Sequence, residues 1–203
     1  MLNLDQPPWP AVLTAGPVKL RPIRRRDARA WGALRSRNQA WLEPWDTTSP
    51  LGASESAVSS FAGYAGLQLR LARQGRSLPW LIEFEGELAG QLTGNGIERG
   101  ALQQVSFGYW VSQHLAGRGI APTALALAFD HAIGVLGLHR AEVPIRPTNA
   151  NSLRVVEKLG FRCEGVRPAY LHVAGGWADH LIFALHAEDV PGGLLAHWQA
   201  AGG

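Results

Sequence analysis

Apolar and polar positions alternate in some stretches of the chain and recur at helical spacing in others. Val18-Lys19-Leu20-Arg21-Pro22-Ile23 alternates with a period of two and predicts a strand. Pro22 lacks an N–H and favours an edge position for it. From Asp27 the spacing changes, and Ala28, Trp31, Leu34 and Arg35 fall on neighbouring helical faces. Residues 41–45, with Pro44, interrupt the pattern, and residues 54–73 predict a second amphipathic helix with Ser54 as its cap. Beyond Gly75, residues 78–85 and 88–97 predict a hairpin that turns at Gly86. In residues 104–111, Val105, Phe107, Tyr109 and Val111 share one face, while Ser106, Gly108 and Trp110 share the other.

Residues 120–136 are apolar nearly all round, which predicts a helix buried on more than one side. Residues 139–146 predict a strand with Ala141, Val143 and Ile145 inward, and residues 152–159 a short helix ended by Gly160. Residues 161–165 and 180–186 predict late strands around Gly175-Gly176. The order is strand, two helices, three strands, helix, strand, helix, two strands, without an internal repeat or a dividing linker. One mixed α/β domain over residues 17–187 is expected, after an irregular proline-rich arm (1–16) and before a tail (188–203).

Composition narrows the picture. With 203 residues, 46% hydrophobic and 17% charged, the chain has enough apolar material for a sizeable core. Eight tryptophans suit a filled interior or an aromatic-lined cleft. The net charge is +3 and almost all positive charge is arginine, lysine occurring only at Lys19 and Lys158. The run from Arg21 to Arg26 lacks the interleaved aromatics of a nucleic-acid stripe and reads as a solvated strand-to-helix junction. The single Cys163 excludes an intramolecular disulfide and a multi-cysteine metal site, and His114, His131 and His139 have no metal-like spacing. No basic-then-apolar leader is present, and no apolar run approaches about 18 residues, so a cytoplasmic location is expected.

The segment from Trp110 to Pro122 carries the candidate chemistry. An alternating strand runs into a turn with Gly117 and Gly119, and an apolar helix follows at once. Glycine lets backbone N–H groups approach an anion closely, and a helix start adds unpaired N–H groups and a positive dipole end. An ordinary glycine turn is the plainer reading. A P-loop would need lysine and Ser or Thr after the second glycine, where Ile120-Ala121 stand. A dinucleotide fingerprint would need Gly or Ala at Pro122 and should open the domain's first strand–helix unit, whereas four strands come before it. An acyl-coenzyme-A pyrophosphate on a mid-chain strand–turn–helix remains.

Ala116-Gly117-Arg118-Gly119-Ile120-Ala121 resembles motif A of the GNAT N-acetyltransferases, Q/R-x-x-G-x-G/A. Pro147-Thr148-Asn149-Ala150-Asn151-Ser152 and Lys158-Leu159-Gly160-Phe161 resemble the family's P-x-N-x-x-S…K-x-G-F segment. Leu20-Arg21-Pro22, Leu42-Glu43-Pro44-Trp45, Phe107-Gly108-Tyr109-Trp110-Val111 and Trp177-Ala178-Asp179-His180 are similar to the RimJ/RimL branch, which contains the ribosomal-protein N-terminal alanine and serine acetyltransferases. The likeness covers roughly residues 20–186. Ala116 departs from the motif's Gln or Arg, and Pro122 ends the row of amides at Ala121.

The resemblance implies a mostly antiparallel sheet of six to seven strands with about four helices and splayed central strands. It also implies acetyl-CoA held by Tyr109, Trp110, Val111, Ala116, Gly117, Arg118, Gly119, Ile120, Ala121, Asn149 and Ser152. The Val111 N–H is the implied oxyanion donor. Ser152 and Tyr170 are the implied candidate acids toward the leaving thiolate, and a helix cap or a core tyrosine is the plainer role for each. Asn149 binds the pantetheine arm or caps a helix near Ser152. The glutamate that some RimL-type enzymes use as base falls near Leu171, which leaves Glu43, Glu83, Asp179 or a solvent chain. Asp179 and His180 form a structural pair in the plainer reading.

An α-amine with pKa about 7.7–8.0 is partly neutral at physiological pH, whereas a lysine near 10.4 is not. A missing base therefore favours a protein or peptide N-terminus as acceptor. A small-molecule amine, or a non-catalytic acyl-CoA-binding module, is the alternative. Neither a nucleic acid nor a membrane partner is expected, and no metal.

Overall fold

The computed structural model describes residues 9–50 and 60–203. Eight strands are present: β1 (Leu13–Ala15), β2 (Val18–Pro22), β3 (Leu78–Phe84), β4 (Glu87–Glu98), β5 (Gln104–Val111), β6 (Arg140–Ile145), β7 (Arg162–Val173) and β8 (Gly176–His186). They form one sheet in the order β1-β2-β3-β4-β5-β6-β8-β7. Every neighbouring pair is antiparallel except β5–β6. The helices are α1 (Ala28–Arg37), α2 (Gln39–Leu42), α3 (Phe61–Arg73), α4 (Ile120–Asp130), α5 (Ala150–Lys158) and α6 (Leu194–Ala200).

Strand β3 buries apolar residues on both faces because helices cover both. Leu20, Trp80, Ile82, Leu92, Val105 and Phe107 pack with α4 in the larger core, where Leu125 and Phe129 meet them. Ile23 and Leu81 face the other way, onto Ala65 of α3 and the partly buried Trp31 of α1. Side chains such as Trp80 and Phe107, at most 1% exposed, each contribute about 1.5–3 kcal/mol by burial. The all-round apolar pattern of α4 is explained by the sheet, α5 and α6 around it.

The parallel pair positions the site. β5 and β6 are in register only at Gln104↔Arg140, Val105↔Ala141 and Ser106↔Glu142. Beyond that, β5 stays with β4 as far as Gly90↔Val111, and β6 stays with β8 as far as Ile145↔Leu181. The Arg140 N–H donates to Gln103 O (3.1 Å), so every second residue of β6 turns its N–H toward β5. Pro144 falls on that series and has no N–H to give. The ladder ends there and the sheet opens.

The class matches the expected one, with more elements. The proline-rich arm is not irregular throughout: Leu13–Ala15 is a strand paired with β2. Pro22 lies beyond the reach of β1, which stops at Leu13↔Leu20, so it needs no donor on that side. The tail carries α6, whose first amides at Leu194 and Leu195 donate to the Asp130 carboxylate (2.6 and 3.0 Å). The helix expected over 54–73 is described as Phe61–Arg73, capped by the Ser60 hydroxyl on the Gly63 N–H (3.2 Å); Ser54 lies outside the described residues. The helix expected over 120–136 changes to a π-helical turn at His131–Val135. The late strands run further than expected, as β7 and β8. Among the described residues no helix is long and apolar enough to cross a membrane.

Candidate active site

The opening between β5 and β6 is the floor of a cleft of about 1150 Å³. Its walls include Phe107, Tyr109 and Val111 on one side and Val143, Pro144 and Ile145 on the other. The Ser112 N–H donates to Ala89 O (2.8 Å), so along β5 the amides of Trp110 and Ser112 face β4. Those of Tyr109 and Val111 face the opposite way, into the opening. The buried pair Asn38 and Ser112 holds this end of β5: they exchange hydrogen bonds of 2.8 and 3.0 Å, and Asn38 Oδ1 accepts from the Gln113 N–H (2.8 Å). Trp41 Nε1–H donates to Val111 O (3.2 Å).

The glycine turn closes one end of the cleft. Gly117 and Gly119 have φ of 82° and 75°, left-handed values that a side chain disfavours. A Cβ on Gly117 would meet nothing within 4 Å, so its backbone stands open, and Gly119 caps α4. The first amides of α4, Ile120 and Ala121, have no partner within the helix, and Pro122 adds none. A diphosphate fits this row of amides from Gly117 to Ala121. Gly117, Gly119, Ile120 and Ala121 line the cleft together with Ala116. Arg118, expected with them, is not among the lining residues, and its guanidinium lies over the Phe84 ring (4.6 Å).

The start of α5 forms the facing wall. Asn149 Oδ1 accepts from the Ser152 N–H (3.1 Å), so Asn149 is the cap and Ser152 is the third residue of the helix. Capping at Ser152, and the helix start expected there, are thereby corrected: the Asn149 side chain satisfies the Ser152 amide, and the helix begins two residues earlier, at Ala150. The Asn149 amide nitrogen remains for a ligand. Tyr109 Oη–H reaches Ser152 O (3.5 Å) across the opening, and burial pushes the Tyr109 hydroxyl far above its ordinary value, so it stays a donor.

The other end of the cleft is aromatic, with Trp31, Trp41, Trp45, Phe61, Tyr64 and Trp110. Arg35 stacks on Trp31 and Trp110 (5.5 and 5.4 Å) and pairs with Asp46. Gln91 accepts from Trp31 Nε1–H and donates to Tyr64 Oη, both at 2.8 Å. Residues 46–48 lie along the β7–β8 hairpin, where Ala174 N–H donates to Asp46 O (3.0 Å) and Thr48 N–H to His172 O (2.9 Å).

The expected acids and bases divide. Ser152 and Tyr170 line the cleft. Tyr170 sits in a β7 bulge, where three residues stand opposite Asp179 alone, and Arg167 Nη1–H donates to its hydroxyl (3.1 Å). Asp179 is exposed and outside the lining; its carboxylate accepts from the Ala169 N–H (2.8 Å), where φ is 46°, and so holds the bulge. Glu43 is exposed and also outside the lining. Glu83 is bound to Arg21 and Lys19 (2.5 and 3.1 Å) and does not line the cleft. Burial raises its pKa, but the bonds and charges of those two cations outweigh this and hold it below the ordinary value. His180, read in the sequence only as the structural partner of Asp179, also lines the cleft and is 4% exposed. Its strand pattern reads as core, and only the packing of β8 brings it into the wall.

Comparison with known proteins agrees with this geometry. The family model described as acetyltransferase (GNAT) domain matches residues 18–162. The "Probable N-acetyltransferase YjcK" of Bacillus subtilis (strain 168) is 40% identical over 93 residues, 46% of this chain, which spans about half (51%) of that relative. The ribosomal protein uS5-alanine N-acetyltransferase of Escherichia coli (strain K12) is 27% identical over 179 residues, 87% of this chain and 91% of that protein. The solved structure of Mycobacterium smegmatis RimJ in complex with CoA-disulfide superposes with a TM-score of 0.89 at 40% identity, covering 97% of both chains. The chain is a member of the GNAT acetyltransferase family, and thus an acetyl-CoA-dependent transferase.

Proposed function

We propose that this chain acetylates the N-terminal α-amine of a protein, a ribosomal protein being the substrate class that the similarity to the uS5-alanine enzyme and to RimJ supports, and that it works in the cytoplasm. One observation carries the choice of acceptor. Among the described residues, Asp46 is the only carboxylate lining the cleft, and Arg35 holds it. A polyamine would bring further positive charges that find no free carboxylate there, whereas a peptide end brings a single ammonium and an amide backbone.

The chain's residues divide the work. Amides 117–121 hold the diphosphate, the Asn149 amide steadies the pantetheine arm, and the opening beside Pro144 receives it. Acetyl-CoA supplies an activated acyl carbon. The inward N–H of Val111 stabilises negative charge as it develops on the carbonyl oxygen. The Ser152 hydroxyl gives a proton to the departing sulfur, and Tyr109, bonded to the Ser152 carbonyl, holds that wall closed.

CoA release with peptides beginning Ala or Ser, set against spermidine, tests the acceptor. Turnover of peptides well above spermidine is expected. A preference for spermidine, or binding of acetyl-CoA without turnover of any amine, refutes the reading.

A further inference from the structure

We propose that His180 is the general base of the transfer, its Nε2 taking the proton from the incoming α-ammonium. This rests on the N-terminal acceptor reading above. His180 projects from β8 into the cleft wall and is 4% exposed. Its Nδ1–H is given to Ala178 O (3.0 Å), which fixes the tautomer and leaves the lone pair on Nε2. The Tyr170 ring stands edge-on to it at 5.9 Å, so the ring is held by packing as well as by that bond. The carboxylates nearby are otherwise engaged: Asp46 by Arg35, and Asp179 by the Ala169 amide.

The charged and titratable groups around the ring come from several elements. Arg167 and Tyr170 belong to β7, Arg146 follows β6, Asp179 precedes it on β8, and Arg35 with Asp46 stands on the aromatic side. Burial, with Arg146, holds the imidazole below its ordinary 6.5, against the Ala178 carbonyl and Asp179. It is therefore neutral, and able to accept a proton, at neutral pH.

The protons balance. Nε2 takes one proton from the ammonium, and the freed amine forms the C–N bond at the acyl carbon. As the C–S bond breaks, the sulfur receives the Ser152 hydroxyl proton, and Ser152 recovers one from the nitrogen. The imidazolium returns its proton to solvent.

The test is the pH dependence of kcat with a saturating Ala-initiated peptide, for wild type, His180→Asn and His180→Gln. Asparagine keeps a donor for Ala178 O but has no Nε2. The wild-type rate should fall only below the ordinary histidine value. In the variants kcat should drop by about a hundredfold or more. Their acid limb should move up to the amine's own value, about 7.7–8.0. Acetyl-CoA affinity by calorimetry should stay the same. A variant kcat within about threefold of wild type, with an unmoved limb, overturns the assignment and leaves the acceptor reading intact. If the variants fail to fold, a wild-type limb already at the amine's value overturns it equally. A wild-type chain that acetylates no peptide overturns the acceptor reading, and this assignment with it.

Discussion

Gly90 is where the fold sets the position of the oxyanion donor. It lies on β4 directly opposite Val111, and a Cβ there would stand 2.1 Å from the Trp110 carbonyl oxygen and 3.0 Å from Val111 Cα. Both are backbone atoms and cannot swing aside. Real Cβ contacts essentially never fall below 3.0 Å, so Gly90→Ala must push the end of β5 about 1 Å toward the opening. A misplacement of about 1 Å at a reacting centre costs on the order of a hundredfold in rate. The overpacking itself costs about 1–3 kcal/mol. At about 2–4 °C per kcal/mol for a chain of this size, the melting temperature should fall by roughly 2–12 °C. The assay is kcat/KM for peptide acetylation by thiol release, with thermal unfolding and acetyl-CoA calorimetry alongside. A hundredfold loss of kcat/KM is expected, with a smaller loss of acetyl-CoA affinity, because the amide row that holds the diphosphate lies beyond the displaced strand end while the pantetheine opening is narrowed. A variant that melts early yet turns over at the wild-type rate would refute the role of the Val111 amide. One that neither melts early nor slows would refute the contact itself.

Three further outcomes are expected. Gly119→Trp should weaken acetyl-CoA binding by tenfold or more, about 1.4 kcal/mol, because a side chain at a φ of 75°, with its Cβ 3.9 Å from the Trp198 ring, strains the turn that presents the amide row; unchanged calorimetric affinity contradicts the site. Asn149→Ala should lose about 1 kcal/mol of stability with its cap, while Asn149→Asp should keep it; both should raise the KM for acetyl-CoA, and a KM unmoved in both reduces Asn149 to a cap. Because the Glu83 pKa is depressed in the fold, its contribution is complete above the ordinary 4.5 and is lost as pH falls through the folded value. Melting curves from pH 6 to 3 should therefore decline less steeply for Glu83→Gln than for wild type, and parallel curves would contradict that coupling.

Much of the architecture was legible from local pattern. The alternation of Val105, Phe107, Tyr109 and Val111 assigns one face of β5 to the core, and the packing agrees. Another feature was legible but passed over. Pro144 in an otherwise regular strand marks where the sheet must part, since its missing N–H is a local fact. Asn149, three residues before the expected helix start, was weighed as a cap, and the structure gives it that role. The strand at Leu13–Ala15 and the helix at Leu194–Ala200 are too short for periodicity to reveal; the first pairs with the neighbouring β2, and the second takes its cap from Asp130, far away along the chain.

What the sequence determined alone is the strand–turn–helix with glycines at 117 and 119, the order of the longer elements from β2 to β8, and the family, because each depends on neighbouring residues and their backbone preferences. Which acids and bases meet in the cleft was decided by the tertiary structure. The bulge opposite Asp179 turns Tyr170 inward and spends the Asp179 carboxylate on a backbone amide, while residues 46–48 are laid against a hairpin more than a hundred positions away. Such convergence follows from long-range register, and the bulge sets three residues of β7 opposite one of β8. No local pattern carries that information.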